Sequence, residues 1–260
     1  MSEAAAGPLA GVGIVITRPA RQAAGLAREI AALGGRPLVF PAIVILPPAD
    51  VAALRDVQWN LARYDIAIFV SANAVEYGVG DPAAWPARIL TLAPGPGTAA
   101  ALAAVGIANV RVPAMTMDSE GLLALPELLD VAGKRIVIFR GDRGRELLRT
   151  ALEARGATVV QVECYRRAKP QSGIAGLIDA WHDKRVDAVT LTSGEGLDNL
   201  WDILGDEGRA HLAATPAFVP HPGIAERARE LGLRQVIVTP PADAGLLASL
   251  LEYFAQQHKG

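Results

Sequence analysis

Cysteine is nearly missing from this 260-residue chain. Cys164 is the only one, which excludes an internal disulfide framework and leaves no cysteine cluster for structural zinc. Histidine is sparse as well: residues 182, 211, 221 and 258 are scattered, with no Cys/His pair at ligand spacing, so each reads as a surface or structural residue. Neither sign of charge dominates. The 25 Lys and Arg against 27 Asp and Glu leave a formal net charge of −2, which supplies no global basic field for nucleic acid or an anionic membrane. Long hydrophobic runs are absent too: the apolar stretch near the N-terminus stops at Thr17-Arg18, far short of the ~20 residues that span a bilayer, and no basic segment precedes it. No membrane span or export segment is therefore expected, and a reducing cytoplasm fits. The chain has no G-x-x-x-x-G-K-[ST] phosphate loop, no H-E-x-x-H and no nucleophile elbow, which disfavours metal-dependent and acyl-transfer mechanisms; no metal and no cofactor are expected.

What is present is an ordinary globular composition, 51% apolar and 20% charged, long enough for two domains of about 100–150 residues each. The chain also repeats itself. GVGIVITRPARQAAGLAREIAALGG from Gly11 aligns without gaps on GKRIVIFRGDRGRELLRTALEARGA from Gly133, an offset of 133 − 11 = 122. The same offset carries Asp65 onto Asp187 and Ser71 onto Ser193. Duplication of one unit with loops at matching strand ends suggests two lobes facing one cleft.

Apolar β-branched runs read as strands over 13–17, 65–70, 89–93, 110–112, 136–140, 188–192, 217–219 and 235–238. Helical spacing or a glycine stop marks helices after Pro19, from 73, and over 98–105, 146–155, 196–204, 225–231 and 245–256. Segment 36–46, interrupted by Pro41, reads as an extended crossing, and 158–168 as its counterpart. Strands alternating with helices imply parallel sheets, so the fold class is α/β: two similar flavodoxin-like lobes, each a parallel sheet flanked by helices. If the two extended segments pair, a two-stranded β linker (38–46 and 159–169) joins a discontinuous lobe one (1–37 and 170–260) to lobe two (47–158).

Several strands end in similar polar turns: Thr17-Arg18, Ser71-Ala72-Asn73, Arg140-Gly141 and Ser193-Gly194. Each stands before a helix at the carboxyl end of an expected parallel strand, where open α/β sheets bind ligands. Together they suit small anionic groups held by amides, hydroxyls and guanidinium forks, although any one serine also reads as a helix cap. Gly95-Pro96-Gly97-Thr98-Ala99-Ala100 fits G-x-G-x-x-A but lies late in its lobe, loses a backbone donor at Pro96 and lacks the following acidic residue, so a dinucleotide is not expected there. Its helix start remains suited to a carboxylate. Tyr165 is packing or a proton donor.

With these residues in place the chain resembles the uroporphyrinogen-III synthase family over nearly its whole length. The resemblance rests on Thr17-Arg18-Pro19, on Tyr64-Asp65 leading to Phe69-Val70-Ser71-Ala72-Asn73, on Gly133-Lys134-Arg135 leading to Arg140-Gly141, on Tyr165-Arg166-Arg167, and on Thr192-Ser193-Gly194-Glu195-Gly196. It implies two α/β lobes on a two-stranded linker with the active site between them, and a cofactor-free lyase. Its substrate would be hydroxymethylbilane, a linear tetrapyrrole with an acetate and a propionate on each ring, cyclised with loss of water and inversion of ring D on the way to heme, siroheme or cobalamin. The resemblance makes Tyr165 the candidate catalytic group. Thr17, Arg18, Ser71, Ala72, Asn73, Gly95, Gly97, Thr98, Arg140, Gly141, Ser193, Gly194 and His221 are candidate substrate contacts. The implied partners are this small molecule and, transiently, hydroxymethylbilane synthase, with no nucleic acid and no membrane, for a monomer. This sequence departs from the family pattern at Val70, where threonine is usual, and at Ile224, where a hydroxyl residue is usual; His221 is the candidate substitute. A non-catalytic tetrapyrrole-binding paralogue and a generic anion binder are the alternatives.

Overall fold

The computed structural model describes residues 7–144, 146–171 and 173–257; His258 lies outside them. The chain divides into two units, Met1–Val44 with Ala168–Gly260, and Ile45–Arg167. The first begins with β1 (Gly13–Ile16), α1 (Ala20–Ala32) and β2 (Arg36–Val39), and β3 (Val44–Leu46) leads out of it. The second contains α2 (Val51–Trp59), β4 (Ile66–Phe69), α3 (Ala72–Gly78), β5 (Leu90–Leu92), α4 (Pro96–Ala104) and β6 (Val110–Arg111). It continues through α5 (Ser119–Leu123), α6 (Pro126–Leu129), β7 (Arg135–Gly141), α7 (Leu147–Ala154) and β8 (Thr158–Ala168). The chain then completes the first unit with α8 (Ala175–His182), β9 (Ala188–Thr190), α9 (Gly194–Ala214), β10 (Ala217–Val219), α10 (Pro222–Glu230), β11 (Val236–Val238) and α11 (Ala242–Gln257).

The first unit holds a five-stranded sheet in the order β2-β1-β9-β10-β11, parallel throughout. The second holds β3-β8-β7-β4-β5-β6, in which β8-β7-β4-β5-β6 is parallel. Every residue of β1 and β4 is buried, as befits parallel strands covered by helices on both faces. In the second unit one face of the sheet packs Phe69, Phe139 and Val162 against α3 and α4, and the other packs Ile68, Ile138 and Leu148 under α5 and α7. The first unit repeats this with Leu191, Leu197 and Ala225 on one face and Ile16, Leu26 and Leu250 on the other.

The repeat maps β1 and β2 onto β7 and β8, and β4, β5 and β6 onto β9, β10 and β11, so the two sheets share one neighbour order. Each sheet nevertheless takes strands from both copies. The seam is closed in the same way in both. Asp187 Oδ2 accepts the Gly13 N–H at 2.7 Å while its own N–H donates to Gly13 O at 2.8 Å. At the positions 122 residues away, Asp65 Oδ2 accepts the Arg135 N–H at 2.9 Å and its N–H donates to Arg135 O at 2.8 Å.

The structure departs from the sequence expectations in four places. Segment 36–46 is not a plain crossing: β2 is an edge strand of the first sheet, where the missing N–H of Pro37 is tolerated, and β3 lies beside β8. Strand β8 is a full sheet member, paired with β7 from Thr158 to Tyr165 across one register shift; β3 lies beside it, so the two extended segments are neighbours as expected, but within a larger sheet. Helices α2, α5, α6 and α8 had no sequence counterpart; α2 and α5 are capped by Asp50 and Asp118, whose carboxylates accept the N–H of Ala53 and Gly121. Finally, α9 does not stop near 204. Gly205 takes a non-helical backbone (φ 61°, ψ −175°), and helical structure resumes beyond it to Ala214.

Candidate active site

The candidate residues of the second unit collect at the carboxyl ends of its strands. Ser71 caps α3, its Oγ accepting the Ala74 N–H at 3.1 Å, with Ala72 and Asn73 in the first turn. Gly95 caps α4 without a side chain, Pro96 and Gly97 begin it, and Thr98 is buried in its first turn. These helices pack on each other on one face of the sheet, so their N-terminal amides form adjoining groups. Among the described residues, a Cβ added at Gly97 would meet no atom within 4 Å. Free N–H groups with the positive end of the helix dipole favour a carboxylate there.

Tyr165 joins this group because of a β-bulge. Register passes from Arg140↔Glu163 to Gly141↔Tyr165, leaving Cys164 as the extra residue. In a regular strand Cys164 and Tyr165 would face opposite ways; here both are buried in the core cluster under α3. The Tyr165 phenol lies 3.2 Å from Ser71 Oγ, and its ring crosses Gly141 so closely that a Cβ there would sit 2.7 Å from Cζ. Gly141 is thus a steric requirement of the tyrosine. Cys164 is inert beside it: its Sγ lies 3.1 Å from Arg140 O, and burial pushes its pKa up to about 12.

Arg140 is not brought to Tyr165. It follows Ile136 and Ile138 on the opposite face of β7, where its Nη1 donates to Glu146 Oε1 at 2.7 Å and to Gln161 Oε1 at 3.2 Å, and its Nε donates to Gly141 O at 3.2 Å. That bond to Arg140 holds the Glu146 carboxyl below its usual range. The hollow around this pair, about 320 Å³, includes Asp142, Arg143 and Glu163 and mixes both signs of charge.

The first unit follows the same plan. Ser193 caps α9, its Oγ accepting the Gly196 N–H at 3.0 Å, and Gly194 opens the helix with no atom of the described residues within 4 Å of where a Cβ would stand. Thr17 is buried at the end of β1 and donates to Thr190 O at 2.7 Å. Arg18, which the repeat places opposite Arg140 (140 − 18 = 122), is also engaged internally, with Asp243 Oδ1 2.5 Å from its Nη1. The matched arginines were legible in the sequence; their acidic partners were not, since Glu146 and Asp243 occupy unmatched positions. His221 caps α10: its Nδ1 accepts the Gly223 N–H at 3.1 Å, which leaves the proton of the neutral ring on Nε2, while Ile224 packs partly buried on the core. The histidines are not all isolated, however. His182 and His211, 29 residues apart by 211 − 182, come together with Glu207, correcting the reading of them as scattered.

Comparison with known proteins adds to this geometry. Residues 24–248 match a family model described as uroporphyrinogen-III synthase HemD. The uroporphyrinogen-III synthase of Salmonella typhimurium is 36% identical over 244 residues, covering 92% of this chain and 99% of that protein, and the Escherichia coli protein of the same name is 34% identical with the same coverage. Among solved structures, a mutant uroporphyrinogen III synthase from the extremely thermophilic bacterium Thermus thermophilus has a TM-score of 0.58 at 22% identity, covering 95% of this chain and 99% of that one. The uroporphyrinogen-III synthetase of Helicobacter pylori has a TM-score of 0.54 at 14% identity, covering 93% and 99%. These structures are alike in fold, and the sequence match extends over nearly all of the chain: it belongs to the uroporphyrinogen-III synthase family.

Proposed function

We propose that this chain cyclises hydroxymethylbilane to uroporphyrinogen III, with ring D inverted and one water lost, in tetrapyrrole biosynthesis. Family membership across residues 24–248 is the observation that carries the reading. The geometry suits it chemically. A substrate with an acetate and a propionate on every ring needs many anion-binding points, and each unit offers capped helix starts at its strand ends: Ser71, Gly95 and Thr98 in one, Ser193, Gly194 and His221 in the other. Thr17, Ala72, Asn73 and Gly97 fill out these turns. Arg18 and Arg140, already ion-paired, serve best by shaping the strand ends.

In the proposed mechanism Tyr165 donates its phenolic proton to the terminal hydroxyl of the bilane as the C–O bond breaks. Water leaves and a cation remains on the methylene carbon. The substituted carbon of ring D attacks that carbon, giving a spiro intermediate that fragments and recloses through the unsubstituted α-carbon with the ring reversed. That α-carbon loses its proton as the pyrrole is restored, and the phenolate is reprotonated. The open chain also closes without inversion, so the enzyme's task is orientation: it must favour one folded posture of the substrate in the transition state. Holding carboxylates at fixed amides does this without a cofactor or metal.

The finer assignments belong to the same proposal: a cytoplasmic monomer that receives its substrate from hydroxymethylbilane synthase in a transient contact and feeds heme, siroheme or cobalamin synthesis. The test is a coupled assay. Porphobilinogen and hydroxymethylbilane synthase are supplied with this protein, the products are oxidised, and the uroporphyrin isomers are resolved. Type III product is expected; type I alone refutes the reading.

A further inference from the structure

We propose that His182, Glu207 and His211 form a binding site for a divalent transition-metal ion of the zinc class, clipping α8 to the part of α9 beyond Gly205. One ligand atom from each residue lies within 4.8 Å of the other two. His182 Nε2 and Glu207 Oε1 are already 2.9 Å apart. An ion bonded to three nitrogen and oxygen donors at about 2.0–2.2 Å holds them roughly 2.9–3.6 Å from one another, so closure asks only for small side-chain movement. His182 and Glu207 are about half exposed, at 53% and 62%, and free to make it.

Local structure aims the three groups. Glu207 and His211 are four apart, the spacing that puts two side chains on one helix face. His182 is the last residue of α8. The His211 imidazole is stacked on the Trp181 indole, with ring centroids 5.5 Å apart and planes 7° from parallel. That indole is itself fixed, its N–H donating to Thr215 Oγ1 at 3.0 Å, and the Thr215 hydroxyl donates to His211 O at 2.8 Å. A buried aromatic that holds one ligand's ring by its face pre-organises the site as an outer-shell partner does.

Two imidazoles and one carboxylate select zinc, cobalt, nickel or copper over magnesium and calcium, which prefer all-oxygen sets. The exposed side leaves the remaining coordination positions to water. The cluster does not belong to the proposed catalytic groups. α9 starts at the carboxyl end of β9, with Ser193, and its final turns lead back to the amino end of β10, where His211 lies. Its role is therefore a staple across two surface helices, and metal binding stabilises the folded unit by mass action.

Isothermal titration of the metal-stripped full chain with Zn²⁺ tests this, together with Co²⁺ absorption and tryptophan quenching. The expected result is one ion per chain, tetrahedral or five-coordinate Co²⁺ bands, saturable quenching and a Zn²⁺-dependent rise in Tm. His182→Ala and His211→Ala should each weaken Zn²⁺ binding by more than the roughly 10–100-fold typical of losing an outer-shell partner, with the Tm rise abolished. His182 is exposed and His211 partly buried against Trp181, so unchanged far-ultraviolet circular dichroism is expected of His182→Ala and is checked for His211→Ala before its binding is compared. Absence of stoichiometric binding, or a double variant that binds as the parent does through other groups, overturns the proposal.

Discussion

Tyr165 and Gly141 are coupled by contact: the ring occupies the space a side chain at 141 would need. Replacing Gly141 with alanine should destabilise the second unit by about 1–3 kcal/mol, the usual cost of overpacking, seen as a lower urea midpoint. Because the ring must move, activity should fall as well. Tyr165→Phe keeps the ring and removes only the group 3.2 Å from Ser71 Oγ. If the phenol is the general acid, kcat in the coupled assay should drop by about 100-fold or more while the fold is retained; unchanged turnover would make the residue packing alone. Glu146 supplies a pH prediction. Its carboxyl is held low by Arg140, so its contribution to stability is present above the unfolded-state pKa and is lost as pH falls through the lower folded-state value. Urea midpoints of the parent should therefore decline more steeply below about pH 4 than those of Glu146→Gln; parallel curves would contradict this. The placement of the candidate residues at strand ends was legible before the structure. The bulge at Cys164, which turns Tyr165 to the α3 face, leaves no mark in composition or periodicity.

Helix starts are the repeated feature at the next scale, and in the proposed function they hold the substrate carboxylates. Ser71 and Ser193 stand 122 residues apart (193 − 71) and make the same cap, to the N–H three residues on. Each serine-to-alanine change should cost about 1 kcal/mol of stability, the usual worth of an N-cap. Ser71→Ala should cost more than Ser193→Ala, since it also strips Tyr165 of its hydroxyl partner; thermal melts of the two variants compare them directly. Strands and helices with strong apolar patterns were readable because burial on one or both faces dictates their spacing. Helices α5 and α6, with 5 and 4 residues, are too short for periodicity to register. Helix α9 misled for a different reason: Gly205 reads as a terminator, and only packing of Gly208 and Leu212 beyond it shows that the helix resumes.

At the scale of the molecule, the second unit is one continuous stretch, Ile45–Arg167, with apolar clusters on both faces of its sheet, whereas the first is assembled from two pieces of chain. Residues 45–167 expressed alone should therefore fold, giving a cooperative urea transition and far-ultraviolet circular dichroism of an α/β protein. A non-cooperative, unstructured fragment would mean that the first unit is needed for this sheet to form. The seam between repeat copies explains how the division arises. Asp187 meets Gly13 and Asp65 meets Arg135, so each copy of the repeat contributes part of each sheet.

The sequence by itself determined the α/β class, the duplicated unit, the strand-end turns and the family, because each rests on local periodicity, turn chemistry or matched spacing. Tertiary structure decided which of those residues meet. Arg18 and Arg140 sit in strand-end turns like the serines, yet each is claimed by an acid, Asp243 or Glu146, that no spacing rule selects. His182, Glu207 and His211 were scattered letters until α8 and α9 were laid side by side. Contacts between side chains distant in sequence depend on how the helices pack onto their sheets, and that packing is a property of the whole buried core, with no signature in any one segment.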